Sequence, residues 1–268
     1  MSPSLAVTTA AAAFGADPGR WPLPSATEPD LLWLRAVAAG GQGRYASARA
    51  DIAGLIRRTP GGRFASLALS TQASFLRQLG WHHLARGWDG RAYACAGEDH
   101  EAGVDALIGL SADALGVGRL AASAVFLERA AELLANADTP PPRLPIRLAW
   151  VRAELAMAGG HGHAAVRHAG EGVTLAESAL PALRRHRVKS DVVLAAALCS
   201  AGDLAGARAL ADAALADTGT YGLIPLRWAL SCLLADIGSA TLTPAEVEAV
   251  RARSSAFVVR HGGRWNSR

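Results

Sequence analysis

The chain has 268 residues, of which 51% are hydrophobic and 19% charged, which excludes intrinsic disorder for most of its length and fits one elongated domain or two small ones. Sixty alanines against 6% aromatic residues favour closely packed helices over sheet, because alanine is the best helix former and β-branched residues are sparse. With 27 basic and 23 acidic residues the net charge is only +4, too weak a field for sequence-independent nucleic-acid binding.

Met1 to Thr27 is rich in Ala, Ser, Thr, Pro and Gly and is expected to be a flexible N-terminal tail. Its apolar stretch is not preceded by Lys or Arg, so it does not read as a signal peptide. From Glu28 to Ser239 a short phrase recurs: Gly, any residue, Tyr/Leu/His, two residues, then a small residue. The copies are GRYASA at Gly43, GWHHLA at Gly80, GRLAAS at Gly118, the looser GHGHAA at Gly160, and GDLAGA at Gly202, with Gly238 at a sixth turn; the intervals are 37, 38, 42, 42 and 36 residues. A stretch with apolar residues at helical spacing precedes each Gly, such as Leu194, Ala195, Leu198. A second follows it, such as Ala207, Ala211, Ala214. The expected unit is helix, turn, helix, with Gly where the first helix ends and a left-handed residue is needed. TPPPRLP, within 139–145, is expected to be a rigid joint between the third and fourth pairs. Residues 240–268 are expected to form a C-terminal capping helix and tail, begun by Thr243, Pro244 and Glu246.

QGRYASARADIAGLIRRTP, Gln42 to Pro60, resembles the second half of a tetratricopeptide repeat at Gly43, Tyr45, Ala48, Ile52 and Pro60. Ser190 to Leu215 resembles both halves at Leu194, Ala195, Leu198, Gly202, Leu204, Ala207, Ala211 and Ala214. The resemblance implies an all-α, right-handed solenoid of five to six helix pairs and a non-enzymatic protein–protein interaction module, adaptor or scaffold, binding a partner segment in its concave groove. A helix pair cannot bury its apolar stripe alone, so stacked neighbours must share a continuous core.

In such a solenoid the first helix of each pair lines the concave wall. Projection from the Gly register places Trp33, Ser70, Arg77, Asp105, Arg147, Trp150, Glu154, Lys189 and Trp228 there as a partner-binding groove. The tryptophans suit anchoring, since each buries a large area at low rotamer cost; the alternative is that they fill gaps in an alanine-rich core. Arg77, Arg147 and Lys189 suit a carboxylate or an acidic segment. The family's clamp for acidic chaperone tails uses Lys and Asn, whereas the only asparagines here are Asn136 and Asn266, which argues against that activity.

No HExxH, GxSxG, phosphate loop or strand-borne dinucleotide fingerprint is present, so neither metal, cofactor nor catalytic residue is expected. Cys95, Cys199 and Cys232 are widely spaced and read as buried free thiols of a reducing compartment. The most apolar window, Val192 to Ala216, contains Asp203, Arg208 and Asp212, so no membrane span is expected and the chain is assigned to the cytoplasm. The 26 arginines against a lone Lys189 look like a high-GC bacterial genome. Leu67 to Ala92 also looks like the repeat regions of bacterial transcription regulators, which offers a second reading, a free-standing ligand-sensing domain. A closed Trp-lined cavity would favour the sensor and an open polar-rimmed groove the adaptor.

Overall fold

In the computed structural model, residues 4–266 are described. Met1, Ser2 and Pro3 of the expected tail, and the last two residues of the C-terminal segment, lie outside the described residues. Thirteen helices and no strand occur among the described residues: α1 Leu5–Phe14, α2 Pro29–Gly41, α3 Tyr45–Arg58, α4 Gly62–Gln78, α5 His82–Ala96, α6 His100–Gly116, α7 Leu120–Ala135, α8 Arg143–Ala158, α9 Gly162–Ser178, α10 Arg184–Ser200, α11 Leu204–Thr220, α12 Ile224–Ile237 and α13 Pro244–Arg260.

The chain is all-α, and the recurrent glycines set its punctuation. Gly43, Gly80, Gly118, Gly160, Gly202 and Gly238 all have positive φ, between 74° and 90°, a conformation costly for any side chain. The first five close the same hydrogen-bond pair. At Gly43 the glycine N–H donates to Gly40 O at 3.0 Å and the next N–H, of Arg44, reaches back to Ala39 O at 2.9 Å. Gly202 repeats this with Cys199 O and, through Asp203 N–H, Leu198 O, both at 3.0 Å. This is the Schellman closure, which satisfies the orphan carbonyls of the ending helix and turns the chain sharply enough for the next helix to fold back.

Each second helix then lies along the first with alanines at the seam: Ala48, Ala85, Ala92, Ala165, Ala169, Ala207 and Ala211 are fully buried. Small side chains let the helix axes approach closely. The even-numbered helices from α2 to α12 each touch the next even-numbered one as well as their own partner, whereas odd-numbered helices make at most marginal contact with one another. The even-numbered helices therefore form one continuous wall. The Pro-rich connection does not interrupt the packing, because Ile108 and Leu127 on one side of it share a core with Leu144 and Leu148 on the other.

Two segments differ from the sequence reading. Leu5–Phe14, within the expected flexible tail, is a helix capped by Ser4, with Thr9 buried and Ala12 and Ala13 packed in one cluster with Leu32, Trp33 and Ala36 of α2. The thiols of Cys95, Cys199 and Cys232 are free but only half-buried. At the other end α13, begun by a complete Thr243–Glu246 capping box, packs on α12 as the second helix of a sixth pair. The residues after it return to the start of the array. His261 O accepts from Ala46 N–H at 2.8 Å, Trp81 Nε1 donates to Arg264 O at 2.7 Å, and Asn266 N–H donates to Leu79 O at 2.9 Å.

Candidate functional site

The predicted wall residues lie on even-numbered helices as projected, but most are engaged with one another. α6 carries Glu101 and Asp105 one turn apart, and α8, its neighbour in the wall, carries Arg143 and Arg147 at the same spacing. Arg143 Nη2 donates to Glu101 Oε1 at 2.8 Å, its Nη1 lies 2.8 Å from Asp105 Oδ2, and Arg147 pairs with the other oxygen of Asp105. Arg63 of α4 closes on Glu101 from the side. Burial works against the Glu101 anion, but Arg143 and Arg63 hold its carboxyl below the usual range.

A second group lies next to the first. Arg77 of α4 pairs with Asp89 of α5 and with Asp113 of α6, at 3.1 Å from Asp113 Oδ1, while Ser70 Oγ donates to Asp89 Oδ1 at 2.8 Å. Both carboxylates are fully enclosed. Gly109 makes the enclosure possible: a Cβ there would stand 2.3 Å from Asp89 Oδ2. Burial raises both acids, and Asp113, with Asp89 also beside it, is pushed up to about 7. Burial alone would lower the Arg77 guanidinium, yet the two carboxylates keep it above its ordinary value.

Aromatic and further cationic residues complete the wall on α2, α8 and α10. Phe14 of α1 lies 5.3 Å from the Trp33 ring and 5.9 Å from His186, and His186 stacks on Trp150 at 5.4 Å. The guanidinium carbons of Arg143 and Arg185 stand 5.3 and 5.8 Å from the centre of the Phe14 ring. Arg185 has one polar partner, Val37 O at 3.2 Å, and makes no ion pair among the described residues. Burial, and then Arg143, bring it down to about 10; burial, and then Arg77, bring Arg147 to about 10. His186 is held well below its usual value by burial and by Arg185, Arg143 and Arg147, so it is a neutral ring in an otherwise cationic lining.

Of the residues projected from the sequence, Arg77, Ser70, Asp105 and Arg147 thus belong to neighbouring buried ion groups. Trp150, Glu154 and Lys189 form a third, only half-buried group: Trp150 Nε1 donates to Ser190 Oγ at 2.8 Å, Lys189 Nζ lies 5.9 Å from the centre of the Trp150 ring, and Lys189 Nζ lies 3.3 Å from Glu154 Oε1. Trp33 is buried under α1 and donates to Thr71 Oγ1 at 3.1 Å, while Trp228, on α12, stacks on Trp265 at 4.0 Å. The three tryptophans therefore do not present one anchoring row. Phe14, Asp89, Glu101, Asp113, Arg143, Arg185 and His186 were not anticipated. The matched one-turn spacing of Glu101/Asp105 and Arg143/Arg147 was a readable signal once the two helices were known to be neighbours.

The arrangement places positive charge and aromatic rings around the end of α1. Among the described residues no group of three or more His, Cys, Asp or Glu is placed to hold a metal ion, and no helix is long and apolar enough to cross a membrane. No family model matches the sequence, and comparison with curated proteins finds no match either.

Proposed function

We propose that the chain is a regulatory protein–protein interaction module, a right-handed solenoid of six tetratricopeptide-like helix pairs whose even-numbered wall accepts a helical segment of a partner protein. The observation that carries this reading is the seat of α1. The helix touches the wall helices α2 and α10, and its last side chain, Phe14, also reaches the Ile146 and Leu183 cluster on the far side. Gly15 O at its C-terminal end accepts from Arg184 N–H at 3.3 Å. A helix presents partial negative charge at its C-terminus, so the guanidinium groups of Arg143 and Arg185 are placed on the favourable side of its dipole.

In this reading α1 is an internal occupant with the chemistry of the external one: a small-residue helix ending in an aromatic ring. A partner helix of that kind displaces it, as amphipathic helices occupy apolar grooves elsewhere. The wall is assigned recognition and no chemical step.

The test uses the full chain carrying Phe14→Ala, which loosens the internal occupant, and a fluorescent peptide of residues 4–24 added in trans. Saturable binding to the variant and much weaker binding to the unsubstituted chain, whose own helix competes, is the expected result. Absence of binding to a folded Phe14→Ala chain overturns the reading.

A further inference from the structure

A cleft of about 320 Å³ opens between α12 and α13, lined by none of the predicted wall residues, although Trp228 of α12 adjoins Arg227 at its rim. Its floor is apolar, from Ile224 of α12 and Val250 and Phe257 of α13. The floor's one hydroxyl, Ser254 Oγ, is spent on Val250 O at 2.8 Å. The rim carries three guanidinium groups: Arg227 from α12, Arg253 and Arg260 from α13. Arg253, Phe257 and Arg260 stand four and three residues apart and so share one face of their helix.

Those three cations lack counter-charge. Arg227 donates to neutral acceptors, Leu215 O at 2.9 Å and Thr218 Oγ1 at 3.4 Å. Burial, then the nearby charge of Arg253, lower its pKa, with no carboxylate acting in the other direction. Arg253 and Arg260 make no ion pair among the described residues. The same helix does pair an arginine where an acid is in reach: Arg251 Nη2 lies 2.6 Å from Glu248 Oε2. Arg44, over the Phe257 ring at 5.4 Å, adds a fourth positive charge at the edge.

Mutually repelling guanidiniums around an apolar floor are complementary to a ligand that has both an anionic head and an apolar body. A simple anion would leave the floor wet, and an uncharged apolar molecule would leave the repulsion in place. We propose that the α12–α13 cleft binds a small amphiphilic carboxylate, its head held by Arg253 and Arg260 and its hydrocarbon body laid over Phe257, Val250 and Ile224. Guanidinium matches a carboxylate in planar, two-point geometry, which favours this head group over a spherical anion. The volume lies at the lower end of the range for small-ligand sites, which limits the body to a single short chain or ring. The site shares α12 with the wall but includes none of the residues that seat α1.

The experiment is calorimetric titration of the full chain with decanoate below its micellar concentration, beside decanol and acetate. One equivalent of decanoate is expected to bind, with decanol and acetate each weaker by about tenfold or more. The double variant Arg253→Glu/Arg260→Glu should lose about tenfold in affinity or more with its helical signal unchanged, since both side chains are exposed. Arg57→Glu/Arg58→Glu, an equal charge change on exposed residues of α3, should leave the affinity where it was. Rising salt should weaken binding to the unsubstituted chain. The proposal is overturned by no binding, by decanol binding as tightly as decanoate, or by equal effects of the two double variants. Should the Glu pair fail to fold, Arg260→Gln carries the same prediction with a smaller loss.

Discussion

Arg77 Nη1 lies 3.1 Å from Asp113 Oδ1 and is shared with Asp89, so one guanidinium serves two enclosed carboxylates. Burial, opposed by Arg77 and reinforced by the neighbouring Asp89, is why Asp113 holds its proton to about 7 against an ordinary value of 3.8. Because the folded value is raised, the stability Asp113 contributes is greatest below the ordinary value and declines as pH rises through about 7. His186 acts oppositely: its folded value is lowered, so its contribution is present above 6.5 and is lost as pH falls below that. The two slopes oppose each other in mildly acidic solution, and variants must separate them. The unfolding free energy of the unsubstituted chain minus that of Asp113→Asn should fall by about 2 kcal/mol between about pH 5 and about pH 7.5. The difference against His186→Phe should shrink in the other direction, as pH falls below 6.5. A flat profile for either pair, by denaturant titration, removes the corresponding assignment.

Gly109→Ala should destabilise the protein by about 2 kcal/mol or more, since the added methyl would stand 2.3 Å from Asp89 and drive it off Arg77. Gly170→Ala is the contrast. It lies within α9 with nothing within 4 Å of the added carbon, and removing a helix glycine there should gain about 0.5–1 kcal/mol. Thermal unfolding of both variants measures the opposite shifts; shifts of the same sign would show that the enclosure of Asp89 is looser than described.

Two arginines reach Glu101, and their environments set different costs. Arg143 has a side chain only 6% exposed, and Arg143→Met takes the shared buried partner from Glu101 and Asp105, leaving Glu101 only the more exposed Arg63 and Asp105 only Arg147, at about 3 kcal/mol. Arg63 is 44% exposed, and Arg63→Met should cost less than about 1 kcal/mol. Denaturant midpoints of the two variants, compared at one pH, test the ranking.

Thr243→Ala removes half of the capping box of α13 and should cost about 1 kcal/mol. The same change should speed amide exchange at Ala46 and Asn266, whose bonds depend on the placement of α13. Faster exchange confined to the first turn of α13 would show that the returning tail is held independently of that helix.

The helix boundaries and the turns were legible because they are local. Gly43, Gly80, Gly118, Gly160 and Gly202 mark left-handed positions that only glycine fills cheaply, and the chain closes the same two hydrogen bonds at each. The seat of α1 was not legible. LAVTTAAAAF carries small or apolar residues all round, with no stripe to show which face is covered, so composition alone resembles a tail. Its burial is decided by packing on α2, the next helix, and on α10, far away in sequence. The ion groups were half legible. Arg77, Asp105 and Arg147 were placed on the wall, but as residues awaiting a partner. Their own partners, Asp89, Asp113 and Arg143, come from adjacent helices that the projection treated separately.

Arrays of stacked helix pairs ordinarily tolerate gain or loss of a unit, because each unit meets only its neighbours. Here the residues after α13 bond to Ala46, Leu79, Gly80 and Trp81, so the last pair is also a neighbour of the first two. Duplicating or deleting one pair would carry the tail away from those acceptors. The number of units is thereby fixed by geometry, and neither end is free to peel away by itself.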